Sequence, residues 1–126
     1  MKKFVLTAFT IALSFGTVTA STLHETSVKT TLEYAEISTF CKLIRAGNYE
    51  AVKTLIENGT NINRKSGGLT PLMFAARYNK ADIVQLLIDN GAKLKVKSEK
   101  GYTALEYAKM SKAHEAYKVI AAALEK

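Results

Sequence analysis

The stretch "TPLMFAARYNKADIVQLLIDNGA", Thr70 to Ala92, returns in blurred form as "TALEYAKMSKAHEAYKVIAAAL", beginning 33 residues later at Thr103. A fixed period of this size marks a chain assembled from stacked units, provided that chemically special residues recur in phase. They do: Gly68, Thr70, Leu72 and Ala75 meet Gly101, Thr103, Leu105 and Ala108. A fainter earlier copy, "FCKLIRAGNYEAVKTLIENGTNI", places Gly47 and Gly59 32 residues before Asn79 and Gly91, one residue having been lost in the "RKSGG" connection. The chain thus holds three copies, at about 36–65, 66–97 and 98–126.

Each copy decodes into two short helices and an extended connection. Thr70 offers an N-cap oxygen to the orphan amides of a helix start, and Pro71 takes the first helical position, where a missing N–H costs nothing. Leu72, Phe74, Ala75, Ala76 and Tyr78 form one helix face ending at Asn79. Asn79 and Gly47 are residue types that tolerate the left-handed conformation a chain reversal needs. In the second helix, "ADIVQLLIDN", Ile83, Val84, Leu86 and Leu87 lie at helical spacing, and Gly91 closes it as Gly59 closes its predecessor. Ala75, Ala76 and Ala108 let the first helices approach one another closely while the bulkier second helices pack outside. A single unit of this kind cannot bury its apolar face, so stacking supplies the core.

These residues carry a resemblance. "GGLTPLMFAARYNKADIVQLLIDNGAKLKVK" resembles an ankyrin repeat, with its Gly-x-Thr-Pro-Leu opening, alanine pair, Leu-Leu step and Gly-Ala close, and the likeness extends over about Glu36 to Leu124. It implies an all-α solenoid of about three helix-turn-helix-hairpin repeats. Met73, Cys41 and Glu106 stand where the family places a histidine, so the inter-repeat hydrogen bonds of that histidine are expected to be absent and stacking weakened. The first copy lacks the Thr-Pro pair. The third has Ala104 for proline and Lys112 at the reversal.

Residues 1–20, "MKKFVLTAFTIALSFGTVTA", read as a signal peptide: Lys2 and Lys3 are its basic start, Phe4 to Phe15 its apolar run, and Val18-Thr19-Ala20 its cleavage site. The apolar run falls short of the ~20 residues a spanning helix needs. A mature chain from Ser21, periplasmic or secreted and without a membrane span, is expected. Residues 21–35 read as a polar leader or N-terminal capping segment. With 126 residues, 48% hydrophobic and 23% charged, the chain affords one small globular unit. Cys41 is the only cysteine, so no intramolecular disulfide is available, and its place in "STFCKLIRAG" predicts burial. The formal charge of +7 falls to +5 without Lys2 and Lys3, a balance that favours an acidic protein partner.

Catalytic machinery is not apparent. His24 lies in the leader and His114 at a polar helix start, neither in phase with a nucleophile or carboxylate. No cysteine or histidine spacing suggests zinc, and no glycine-rich phosphate loop follows a strand. A non-catalytic chain without metal or cofactor is expected, and an enzyme with an unrecognised site is the alternative of another class.

The remaining role is recognition. The resemblance implies binding through hairpin tips and inner helices, together a concave groove. Carried onto this sequence, that implies Arg45 and Ala46 in the first copy, Leu69, Arg77 and Tyr78 in the second, and Lys100, Tyr102, Met110 and Ser111 in the third. The connection "AKLKVKSEKG" alternates Leu94 and Val96 with Lys93, Lys95 and Lys97, which predicts a finger with a cationic edge. Nucleic acid is not expected, because basic residues are few outside this finger. The expected function is a monomeric, exported bacterial protein-binding module. Small exported ankyrin proteins that resemble it imply support of a haem catalase or peroxide defence. A secreted effector or toxin-neutralising protein is the alternative.

Overall fold

A computed structural model describes residues 37–126 of the chain; the expected signal peptide, the leader and His24 lie outside the described residues. Six helices follow in order: α1 (Thr39–Ala46), α2 (Tyr49–Glu57), α3 (Pro71–Arg77), α4 (Ala81–Asp89), α5 (Ala104–Met110) and α6 (His114–Leu124). They pair as three hairpins. The first members α1, α3 and α5 pack on one another as an inner row, and the second members α2, α4 and α6 as an outer row. Among the described residues there is no β-strand, only an isolated bridge between Ser66 and Leu69.

The helix starts follow the expected chemistry. The Thr70 hydroxyl accepts from the Met73 amide at 3.3 Å, with Pro71 at the first position. Thr103 repeats this with the Glu106 amide, also at 3.3 Å. In the first copy Ser38 does the same work, accepting from the Cys41 amide at 3.2 Å, so the missing Thr-Pro pair leaves the helix capped. The positions where the family places histidine also serve the caps. Glu106 accepts from the Thr103 amide at 2.9 Å, completing a capping box, and the Met73 sulfur approaches the Thr70 amide at 3.4 Å.

The reversals are left-handed, as the sequence predicts at Gly47 (φ 79°) and Asn79 (φ 54°). Lys112 also adopts φ 56°, so the third repeat keeps the conformation without a residue that favours it. The outer helices close on Gly59 and Gly91, both with positive φ.

The expected single helix face on α3 is too narrow a description. Every residue from Pro71 to Ala76 is buried, because α3 lies between α1 and α5 and against α4. The alanines Ala75 and Ala76, both fully buried, permit this close approach on several sides at once. On α4, Ile83, Val84 and Leu87 are fully buried while Leu86 is half-buried. Cys41 is buried in the same core, and burial pushes its thiol pKa up against the lowering effect of hydrogen bonds to Ser38 and Ser66. The thiol form therefore prevails at neutral pH, which suits an inert core residue.

Side-chain hydrogen bonds between repeats come from positions other than the family's histidine. Asn63 donates to the Gly91 carbonyl at 3.2 Å and accepts from the Lys93 amide at 2.8 Å, tying the first repeat to the second. Asn79 donates to Glu115 at 2.7 Å and accepts from the Ala116 amide at 3.0 Å, tying the second to the third. Ala113 at the start of α6 has no side chain able to cap, so the asparagine of the preceding repeat caps that helix across the junction.

Candidate binding groove

The connections end in tight turns that overhang the inner helices. In the second repeat Ser66 and Leu69 exchange backbone hydrogen bonds of 2.8 and 3.2 Å around Gly67 and Gly68, both with positive φ. A two-residue turn with two left-handed centres needs residues of this kind. In the third repeat the Ser98 amide donates to the Tyr102 carbonyl at 2.8 Å, and the extra residue makes a wider turn. That insertion is the one-residue offset visible in the sequence.

The two turns are joined. The Glu99 amide donates to the Gly68 carbonyl at 3.2 Å, and the Glu99 side chain lies over Gly68, where an added Cβ would stand 3.0 Å from Oε2. Glycine is favoured there by its φ of 81°, and an added Cβ would also displace the flexible end of Glu99. Behind the turns, Ser98 and the Tyr107 hydroxyl share a buried hydrogen bond of 2.8 Å. Tyr102 meets the edge of Tyr107 with centroids 5.7 Å apart and planes at 75°. Tyr107 is thereby fixed as a wall, and 41% of Tyr102 remains exposed.

Between the turns and the inner helices runs a groove of about 460 Å³. Six of the sequence-predicted residues line it: Leu69, Arg77, Lys100, Tyr102, Met110 and Ser111. Arg45 and Tyr78 do not. Tyr78 is 39% exposed and carries the Arg77 guanidinium 5.9 Å from its ring centroid, so it supports the arginine from outside the groove. Arg45 is exposed on α1, and Ala46 is exposed beside it.

Ser98, Glu99 and Tyr107 also line the groove and were not among the expected residues. For Tyr107 the signal was present, since a tyrosine with a serine nine residues before it can bury its hydroxyl only with a partner. The finger keeps its expected alternation in burial: Lys93, Lys95 and Lys97 are exposed and Leu94 and Val96 half-buried. The chain bends at Leu94 and Lys95 rather than forming a strand. His114 is exposed at the first position of α6.

Arginine and tyrosine, both present around this cleft, are residue types that anchor protein interfaces. Fold and groove together define a helical solenoid with a cleft between its second and third repeats. Residues 40–125 match the family described as Ankyrin repeats (3 copies), and the chain belongs to that family. It is 40% identical over 76 residues to dauer abnormal formation protein 25 of Caenorhabditis elegans, covering 59% of this chain and 20% of that protein. An ankyrin repeat protein of Rickettsia bellii (strain RML369-C) is 37% identical over 70 residues, covering 50% of this chain and 42% of the relative. The crystal structure of the human ASB11 ankyrin repeat domain superposes with a TM-score of 0.65 at 25% identity, over 69% of this chain and 40% of that one. The chain therefore matches less than half the length of these relatives, from 20% to 42%.

Proposed function

We propose that this chain is a non-catalytic, exported protein-binding module that captures a partner with an acidic surface in the groove between its second and third repeats. The ankyrin family membership supports a protein-interaction role in general. One observation carries the finer reading: residues from two turns and two inner helices, chosen from the sequence as interface anchors, converge on one cleft. The export reading rests on the three-part N-terminus, and support of a haem catalase in peroxide defence is its most specific form.

The test is capture from a periplasmic extract of the native host by wild type and by the variant Arg77→Ala, Tyr102→Ala, Met110→Ala. Exposed substitutions usually change stability by only about 0.5 kcal/mol each, so the variant should keep its circular dichroism and lose its partner. Unchanged capture would refute the groove. Intact-mass analysis of the native protein should find Ser21 at its start, and a deletion strain should be peroxide-sensitive if the partner is a catalase.

A further inference from the structure

The charges of the stack are sorted by row. The outer helices carry Glu50, Glu57, Asp82, Asp89 and Glu115 against only Lys53 and Lys118. The inner helices and the connections at 60–69 and 92–102 carry ten Lys and Arg against only Glu99 and Glu106. All these charged side chains are exposed. A near-neutral mixture would serve solubility equally well, so the sorting gives the inner face a field of one sign and the outer face the other.

Within the groove the sorting becomes specific. Arg77 and Lys100 are its cations, and Glu99 is the one carboxylate among the lining residues, held over Gly68 by its own backbone. The remaining wall mixes Ser111 with Leu69 and the tyrosines; it is fixed where Ser98 holds Tyr107, and open where Tyr102 and Met110 expose 41% and 52% of their surface. A carboxylate entering this cleft meets two cations, Arg77 and Lys100, against the single carboxylate of Glu99. An aromatic neighbour of that carboxylate gains an edge-to-face or stacked contact with Tyr102.

We infer that the groove recognises an extended acidic peptide segment in which a side-chain carboxylate, held by Arg77 and Lys100, is followed by an aromatic side chain laid on Tyr102. This deepens the proposed function and rests on its groove. A lone chain terminus fits less well. Further exposed cations lie on α1, at Lys42 and Arg45, and in the finger lysines, which suits several carboxylates in one strand.

The chain contains no tryptophan, so a tryptophan in the peptide can be excited and followed alone. The probes are a synthetic peptide alternating Asp and Ser with one central Trp, its Asn-for-Asp analogue and its Ser-for-Trp analogue, the last followed by fluorescein anisotropy. The full chain should bind the Asp–Trp peptide at least about tenfold more tightly than either analogue, with affinity falling steeply as salt rises. Arg77→Gln with Lys100→Gln should reduce the Asp–Trp peptide to the level of its Asn analogue. The charge-matched pair Lys53→Gln with Lys118→Gln, on the outer helices, should leave it unchanged. Tyr102→Ala should erase the preference for Trp over Ser.

Equal binding of Asp and Asn peptides, or an equal loss from the two lysine-containing pairs, would overturn the inference. So would competition by anionic phospholipid vesicles that ignores the Trp, since this would make the face a general polyanion surface. If these results go against the peptide while the Arg77, Tyr102, Met110 variant still loses its natural partner, the groove stands and only the assigned chemistry fails.

Discussion

Between the first and second repeats Asn63 makes a two-bond side-chain tie at the end of the stack that bears the connections, alongside a single bond of 2.7 Å from the Ser38 amide to the Ser66 hydroxyl. Between the second and third the two-bond side-chain tie is Asn79, at the opposite end, where each hairpin reverses, in addition to the backbone bond from Glu99 to Gly68. The same junction is thus solved twice with different residues. In the first repeat the position equivalent to Asn79 is Gly47, which has no side chain to offer, and the stem of Lys80 fills the space: an added Cβ would stand 3.2 Å from its Nζ. That ammonium lies at the C-terminal end of α1, where the helix dipole favours a cation. The difference teaches that the apolar stacking is common to both junctions, while the side-chain ties of the two asparagines vary in position from one junction to the next.

The comparison breaks if the shared apolar layer is not what holds the stack. Leu87 is fully buried on α4, which packs against α2, α3 and α6, and Ile120 is fully buried on α6, the last helix. Leu87→Ala should cost about 2–5 kcal/mol, a large part of the ~5–15 kcal/mol of a whole domain, as measured by urea unfolding. Ile120→Ala should cost less, because α6 flanks one repeat where α4 flanks two. An equal or reversed order would mean that the junctions do not share a load-carrying central repeat.

The two asparagines sharpen the comparison. Asn63→Ala loses two bonds to backbone groups and should cost about 1–2 kcal/mol. Asn79→Gly keeps the left-handed reversal but uncaps the Ala116 amide, a loss of about 1 kcal/mol. The double variant should be additive, since the two sites lie at opposite ends and share no partner. Strong coupling would show the ties to be one network rather than two local solutions.

How far these features could be read from the sequence follows from the range of the forces involved. The period, the Thr70 cap, the left-handed Asn79 and the closing Gly91 depend on local chemistry and helical spacing, and all were legible. Ser38 caps α1 by equally local chemistry, without the Thr-Pro pair that marks the cap in the second repeat. The ties were not legible, because Asn63 and Asn79 bond to residues 28 to 37 positions away, and their reach depends on how the repeats register in space. The groove was half legible: its rim residues sit at family positions, whereas Glu99 belongs to it only because the inserted residue widens one turn and lays that side chain on Gly68.

A smaller effect separates the reversals themselves. Lys112 holds φ 56° with no later repeat among the described residues for its side chain to engage, and it is exposed. Lys112→Gly should therefore raise stability, by up to about 1 kcal/mol once the entropy of glycine is set against the strain relieved. The same change at Asn79 should lower it. Opposite signs at equivalent positions would locate the role of Asn79 in its hydrogen bonds rather than its backbone angle.

The smallest effect is one of pH. Donation from the Asn79 amide holds the Glu115 carboxyl below its ordinary range, with a lesser contribution from the backbone. A carboxyl depressed in the folded state contributes stability that is complete above its unfolded pKa and is lost as pH falls through the folded value. Glu115 is exposed, so solvent screening keeps this contribution small. The other half of the tie, from the Ala116 amide to Asn79, involves no titrating group and should persist in acid. The stability gap between wild type and Asn79→Gly should therefore narrow below the ordinary carboxylate range without closing, whereas the gap for Asn63→Ala, whose partners are backbone groups, should stay level. Unfolding curves of the three proteins across acid pH measure this directly, and a gap at Asn79 that widened in acid would show that Glu115 is not held ionised by that asparagine.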